Sequence, residues 1–203
     1  MEKKRKRITA AILVVVVAAL AFLLSQCDPS KARYAHGWER FVYPRLSGKV
    51  VDADTGAPID GAIVFCLWRI THGFPGLTHE KEYQIVESAT GQDGHFALPG
   101  TWNPFVNSPD LSVYKKGYVL WNNKDVFQSK ERRRDFSWKS GVTMRLEKWK
   151  QEYSYDSQQS FVRFHPPFSK SYPLRYRFFR EMEWEAEQAN RERNNKANTE
   201  GRR

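Results

Sequence analysis

Only two cysteines, Cys27 and Cys66, occur in 203 residues. That is too few for a disulfide framework, so stability has to come from a packed core. No nucleophile elbow and no phosphate-cradling glycine loop is present, which removes two common signatures of acyl and phosphoryl transfer. The five histidines, His36, His72, His79, His95 and His165, include no His-x-His pair. Long apolar runs are scarce as well. The one uncharged stretch of membrane-relevant length is Ile8 to Leu24.

What the chain does contain is a sufficient core and an excess of base. Hydrophobic residues make up 40% and aromatics 14%, enough for one ordinary domain plus extensions. The formal charge is +10, from 33 basic and 23 acidic residues. Lys3, Lys4, Arg5, Lys6 and Arg7, with Glu2 counted, carry +4 of it, which leaves +6 for the rest. Such a surface favours anionic surroundings, lipid headgroups or acidic glycans, and serves equally as solubility charge. Cys66 sits among Ile63, Val64, Phe65, Leu67 and Trp68 and is expected to be a small buried hydrophobe.

The basic run followed by Ile8–Leu24 predicts an export and anchoring segment. Seventeen residues of helix reach about 25 Å, just short of a ~30 Å hydrocarbon core. Basic residues stay on the cytoplasmic side, so everything after residue 24 is expected to face outward. The ending Leu24-Ser25-Gln26-Cys27 resembles a bacterial lipoprotein signal. That resemblance implies a lipid on Cys27, and Asp28 would then resemble an inner-membrane retention signal. Gln26 stands where a small residue is usual, so an uncleaved anchor is the alternative; both tether the chain.

Residues 28–45 read as a linker with Tyr34, Trp38, Phe41 and Tyr43 and two prolines. From 46 to 148 short strands alternate with turns. The pattern predicts strands at Gly48–Ala53, Ala62–Ile70, Tyr83–Ser88, His95–Leu98, Leu111–Lys115, Tyr118–Trp121 and Val142–Leu146. Ala62–Ile70 is nearly all apolar, as expected of a strand covered on both faces. Val142, Met144 and Leu146 alternate with Thr143 and Arg145, a strand with one wet face. Turn signals every ten or so residues and no convincing helix predict an all-β, antiparallel two-sheet sandwich.

These residues also carry a resemblance. Gly48-Lys-Val-Val-Asp52, Thr55-Gly56-Ala-Pro58-Ile59 and Gly61-Ala62-Ile-Val64 look like the opening of a carboxypeptidase regulatory-like domain. Gly91-Gln-Asp93-Gly94-His-Phe96-Ala-Leu98-Pro99 and Leu111-Ser-Val-Tyr-Lys115-Lys-Gly117-Tyr118 resemble its later pieces. The match covers about residues 46–148. It implies a transthyretin-like (prealbumin-like) sandwich acting as an accessory or surface module, not a reaction.

Relatives of that fold set two further expectations. The hydrolase of 5-hydroxyisourate ends in Tyr-Arg-Gly-Ser, which is lacking here. Intradiol dioxygenases take ferric iron on two tyrosines and two histidines, two of those ligands coming from a His-x-His that is also lacking. His72 and His79 share one predicted loop and are read as solvated. Asp52, Asp54 and Asp60 are read as turn-forming aspartates rather than a calcium loop, because Gly56 falls at a ligand position and no closing Glu follows. No catalytic residue, metal or cofactor is assigned.

Three places are left for binding. The insertion Thr71–Lys81 and the segment Thr101–Pro109 read as loops, and Trp102, Phe105 and Trp121 near them suit stacking on a sugar. Lys130-Glu-Arg132-Arg133-Arg134 is the densest basic cluster after the N-terminus, suited to anionic lipid or polysaccharide and not to nucleic acid on this side of a membrane. The extension 149–203 is rich in aromatics to Tyr172. It then predicts a helix from Leu174 to about Asn195 with Phe179, Met182, Ala186 and Ala189 as a partner-docking stripe, supported by pairs Arg177–Glu181, Glu187–Arg191 and Glu192–Lys196. The last eight residues are predicted to fray. The expectation is thus a non-enzymatic protein of the bacterial cell envelope, anchored at the inner membrane through residues 8–24 or a lipid on Cys27. It would face the periplasm or exterior and bind another envelope protein or, alternatively, a surface glycan.

Overall fold

The computed structural model describes residues 43–74, 77–129, 131–163 and 176–200. The segment 8–24, Cys27 and all but the end of the 28–45 linker lie outside the described residues. Among the described residues no helix is long and apolar enough to cross a membrane.

Seven strands and two helices follow one another: β1 Leu46–Asp52, β2 Ile63–Phe74, β3 Leu77–Ala89, β4 His95–Leu98, β5 Asp110–Tyr114, β6 Trp121–Asn122, β7 Val142–Leu146, α1 Tyr155–Arg163 and α2 Arg177–Glu200. The strands form two sheets, β4-β1-β7 and β3-β2-β5-β6. Between the sheets lies one core, with Leu46, Val50, Phe96, Leu98, Met144 and Leu146 facing Val64, Cys66, Trp68, Leu111 and Val113. A second core covers the outer face of the larger sheet, where Ile63, Phe65, Leu67 and Tyr114 meet Phe161 and Val162 of α1 and Phe178 and Met182 of α2.

The two cores explain the apolar run of β2. Side chains alternate faces along a strand. Val64, Cys66 and Trp68 therefore enter the inter-sheet core, and Ile63, Phe65 and Leu67 enter the helix-covered one. A strand buried on both faces has no polar phase. The Cys66 thiol is fully buried, and burial raises its pKa well above the ordinary value. β7 shows the opposite regime: Val142, Met144 and Leu146 are buried and Thr143 and Arg145 exposed.

Three expectations change. The sheets are not wholly antiparallel, because β1 and β7 pair in parallel from Gly48↔Val142 to Asp52↔Leu146. The chain leaves β6 at the end of the domain where β1 begins, and β7 starts there, so the two strands run the same way. Their approach is close at Gly48, where a Cβ would lie 2.2 Å from the Val142 carbonyl oxygen. The insertion Thr71–Lys81 is not a loop. Its described residues extend β2 and β3 into one hairpin paired from Ile63↔Ala89 out to Phe74↔Leu77, with a bulge between Trp68 and Arg69.

The extension, finally, holds two helices. α1 falls within the stretch expected only to be aromatic, and α2 stays helical to Glu200 where fraying was expected. The stripe of α2 is offset from the expected one. Phe178, Met182, Glu185 and Ala189 are buried, while Phe179 and Ala186 are only partly so. Glu185 belongs to this face because its carboxylate accepts from the Tyr114 hydroxyl at 3.1 Å and from the Gln158 amide at 2.5 Å. A hydrophobicity pattern passes over a buried glutamate. Of the expected helical pairs Arg177–Glu181 forms at 2.7 Å. Glu192 instead turns to α1 and accepts from the Ser154 hydroxyl and the N–H groups of Tyr155 and Asp156.

Candidate functional site

The strand directions sort the connections to two ends. One end carries the short turns 53–61, 90–94 and 115–118. There Asp52 accepts from the N–H groups of Asp54 at 3.0 Å and Thr55 at 2.9 Å and from the Tyr118 hydroxyl at 3.1 Å, and pairs with Lys148 at 3.3 Å. The Thr55 N–H is the largest influence holding its carboxyl well below the usual range. Asp52 is thus engaged in building its turn.

The opposite end is built from the tip of the β2–β3 hairpin, the segment 101–109 and the long connection 123–141. Chain entry at Tyr43 lies here too, because Tyr43 and Thr101 exchange backbone hydrogen bonds of 3.0 and 2.8 Å. From Leu67, the last β2 residue paired with β5, to Phe74 the strand advances about 23 Å. Segment 101–109 flanks the hairpin stem only as far as Thr71. Asn107 donates its N–H to the Arg69 carbonyl at 2.8 Å and its side-chain amide to the Thr71 hydroxyl at 2.8 Å and to Glu80 at 3.0 Å. The outer part of the hairpin therefore stands clear of its neighbours. Gly73 makes the approach to its tip feasible, with φ +113° and no room for a Cβ against the Leu77 carbonyl oxygen.

Large apolar side chains are exposed at this end. Phe74 is 76% exposed and Leu77 83%, at the far end of the hairpin ladder, and Trp102 is 77% and Phe105 58% exposed on the segment that flanks its stem. A short turn presents the latter two, in which the Phe105 N–H donates to the Asn103 side chain at 3.0 Å. Trp121 does not join them. It is buried in the inter-sheet core, edge-on to Phe136 at 5.5 Å and capped by the Arg133 guanidinium at 4.6 Å. The expected trio of sugar-stacking rings is therefore two exposed rings and one core residue. Met182 is buried in the second core and Phe179 packs against it, so the tail's docking partner, for these side chains, is the chain's own sheet.

The basic run borders the same end. Arg132, Arg134 and Glu131 are exposed, and an open groove of about 720 Å³ lies between Val126, Arg133 and Asp135. Arg133 pairs with Asp135 at 3.2 Å. Beneath, the buried Asp110 carboxylate bridges Arg69 and Lys124, tying the hairpin stem to the 123–141 connection. His72 and His79 face each other across the hairpin with ring centroids 5.7 Å apart. Among the described residues no three His, Cys, Asp or Glu side chains gather as a metal-holding group. The hairpin tip was hidden in the sequence because its stem is polar on both faces. Phe74 and Leu77 stood out only as apolar residues beside Pro75 and Gly76.

No family model matches the chain, and no curated protein matches it. Among solved structures, one titled as the structure of the streptococcal ancillary pilin is similar at 14% identity with a TM-score of 0.31. The match covers 55% of this chain and 31% of that one, so this chain spans about a third of that protein's length. At that score the likeness carries no argument.

Proposed function

We propose that this protein is a non-enzymatic binding and structural module of the bacterial cell envelope, tethered to the inner membrane by residues 8–24 or by a lipid on Cys27. The stacked sheets fit the transthyretin-like module whose opening the Gly48–Val64 segment resembles, here thickened by the C-terminal helices. The observation that carries the reading is the gathering of Phe74, Leu77, Trp102 and Phe105 at the end where the chain enters from its tether. Four large exposed apolar side chains on neighbouring connections mark an interaction surface rather than scattered exposure. Conversely, the helical extension supports the fold, because its buried stripe is consumed by the second core.

The test is a comparison of the full chain with a Trp102→Ser, Phe105→Ser variant expressed to the same level, each cross-linked in intact cells. The expected result is membrane-bound protein in both, with a specific cross-linked species lost in the variant. Protein recovered free in the cytoplasm would end the reading. Trp102, exposed and held on a short turn, also favours a glycan as the bound group. In that case a glycan array read with the same pair would show binding that the variant loses.

A further inference from the structure

We propose that the ligand of this end is the bilayer itself: Phe74 and Leu77 insert into the membrane interface, with Trp102 and Phe105 resting at headgroup level. The inference rests on the tethered reading above and names what the surface meets. Three observations converge on it. First, the tether enters at this end. Eighteen residues separate Leu24 from Tyr43, which bounds their separation at about 68 Å even when fully extended. Tyr43 is fixed to Thr101, at the base of the turn that carries Trp102 and Phe105. The end bearing the exposed side chains is thus the end drawn toward the membrane.

Second, the side chains match an interface. The outermost described residues of the hairpin are apolar, Phe74 and Leu77, and the aromatic pair Trp102 and Phe105 stands on the segment that flanks its stem. The indole of Trp102, apolar with one polar edge, suits headgroup depth; Phe105 is held there by its place on the same turn, and the Phe74 and Leu77 side chains, apolar throughout, go deeper. The ladder out to Phe74↔Leu77 pairs the inward-facing backbone groups of the hairpin, and the outward-facing groups of its two edges keep their hydrogen bonds in the hydrated headgroup layer, so only side chains go deeper.

Third, the surrounding charge is compatible. Arg45, Arg132, Arg134, Lys81 and Lys139 are exposed around this end, together with Glu82, Glu131 and Asp135. Arg133 engages Asp135, and Arg69 and Asn107 engage Glu80, which leaves a modest basic excess facing anionic headgroups. A protein partner would fit the apolar tip equally in area. It gives no reason for the tip to share its end with the tether.

The experiment uses the full chain reconstituted in vesicles of phosphatidylethanolamine and phosphatidylglycerol doped with a photoreactive phospholipid, the labelled residues being mapped by mass spectrometry. Labelling is expected in 8–24, in the peptide carrying Phe74 and Leu77, and in the peptide carrying Trp102 and Phe105, with the turn at Thr55–Pro58 unlabelled. Phe74→Glu with Leu77→Glu should reduce the hairpin and Trp102 labels at least tenfold and leave the 8–24 label unchanged. These side chains are exposed, so the variant keeps its core. Label confined to 8–24 overturns the insertion and leaves the tether standing; label absent from 8–24 as well, in protein whose intact mass shows no lipid on Cys27, removes both. Equal labelling of the two ends, or a tip that cross-links in native membranes to a polypeptide and not to lipid, also overturns the proposal.

Discussion

The Tyr114 hydroxyl on β5 donates to the Glu185 carboxylate on α2 at 3.1 Å, and Gln158 on α1 donates to the same carboxylate at 2.5 Å. Gln158 in turn accepts the Leu120 N–H at 3.0 Å. One buried carboxylate thereby ties both helices to the sheet. Burial raises the Glu185 pKa, and the bonds from Gln158 and Tyr114 only partly offset it. Burial likewise pushes the Tyr114 phenol far up, and the facing Glu185 adds to this.

A carboxyl that titrates higher in the folded chain stabilises the fold fully below its ordinary value, and that contribution fades as pH rises through the raised value. Wild-type protein should therefore lose stability from about pH 4.5 upward through this group. Glu185→Gln should flatten that loss and match or exceed wild type at about pH 8. Urea unfolding followed by tryptophan fluorescence reads both slopes; parallel slopes contradict the placement. Glu185→Ala, which strands two buried donors, should cost about 1–3 kcal/mol.

Glu192 carries the opposite sign. Its burial raises the pKa, but the Ser154 hydroxyl and the N–H groups of Asp156 and Tyr155 outweigh this and lower it. Its contribution is present above the ordinary glutamate value and lost as pH falls through the lowered one. Glu192→Ala removes the acceptor at the start of α1 and should cost about 1 kcal/mol at neutral pH. Proteolysis near Tyr155 should speed up in that variant, and an unchanged cleavage rate there would contradict the capping role.

Phe178 stacks on Phe65 with centroids 4.8 Å apart and is fully buried. Phe178→Ala should cost about 3–5 kcal/mol and raise amide exchange throughout α2. A helix that served only as an arm for a partner would tolerate this change in the isolated protein, so thermal denaturation separates the two roles.

Trp102 and Trp121 should part company. Trp121→Ala opens the inter-sheet core beneath Arg133 and should cost about 3–5 kcal/mol. Trp102→Ala changes a side chain 77% exposed and should stay within about 0.5 kcal/mol. Equal costs in chemical denaturation would refute the assignment of one to the core and the other to the surface.

Asp110, nearly fully buried, holds Arg69 and Lys124. Asp110→Ala takes the nearer carboxylate from the Arg69 guanidinium, whose side chain is only 17% exposed, leaving Glu80 at 3.6 Å, and should cost about 1–3 kcal/mol. The hairpin stem should then exchange its amides faster, while exchange in β7 keeps pace with global unfolding only.

Much of the strand pattern was legible because it is local. Val142–Leu146 and His95–Leu98 fall where alternation and an Asp-Gly turn place them, and the apolar run of β2 announced two covered faces. The outer hairpin was not legible. Residues 71–74 and 77–81 are polar on both faces apart from the tip, and a ladder of backbone bonds needs no apolar phase. Helix α1 was hidden because Gln158 and Gln159, both buried, occupy its inward face beside Phe161 and Val162.

By itself the sequence determined the existence of most strands, since periodicity and composition are properties of neighbours along the chain. Tertiary structure alone decided that β7 runs parallel to β1, that Trp121 is core while Trp102 is surface, and that Glu185 belongs to a buried face. Those outcomes depend on which segment arrives opposite which. A side chain's burial is set by the partner that long-range packing delivers to it, and no local pattern records that partner.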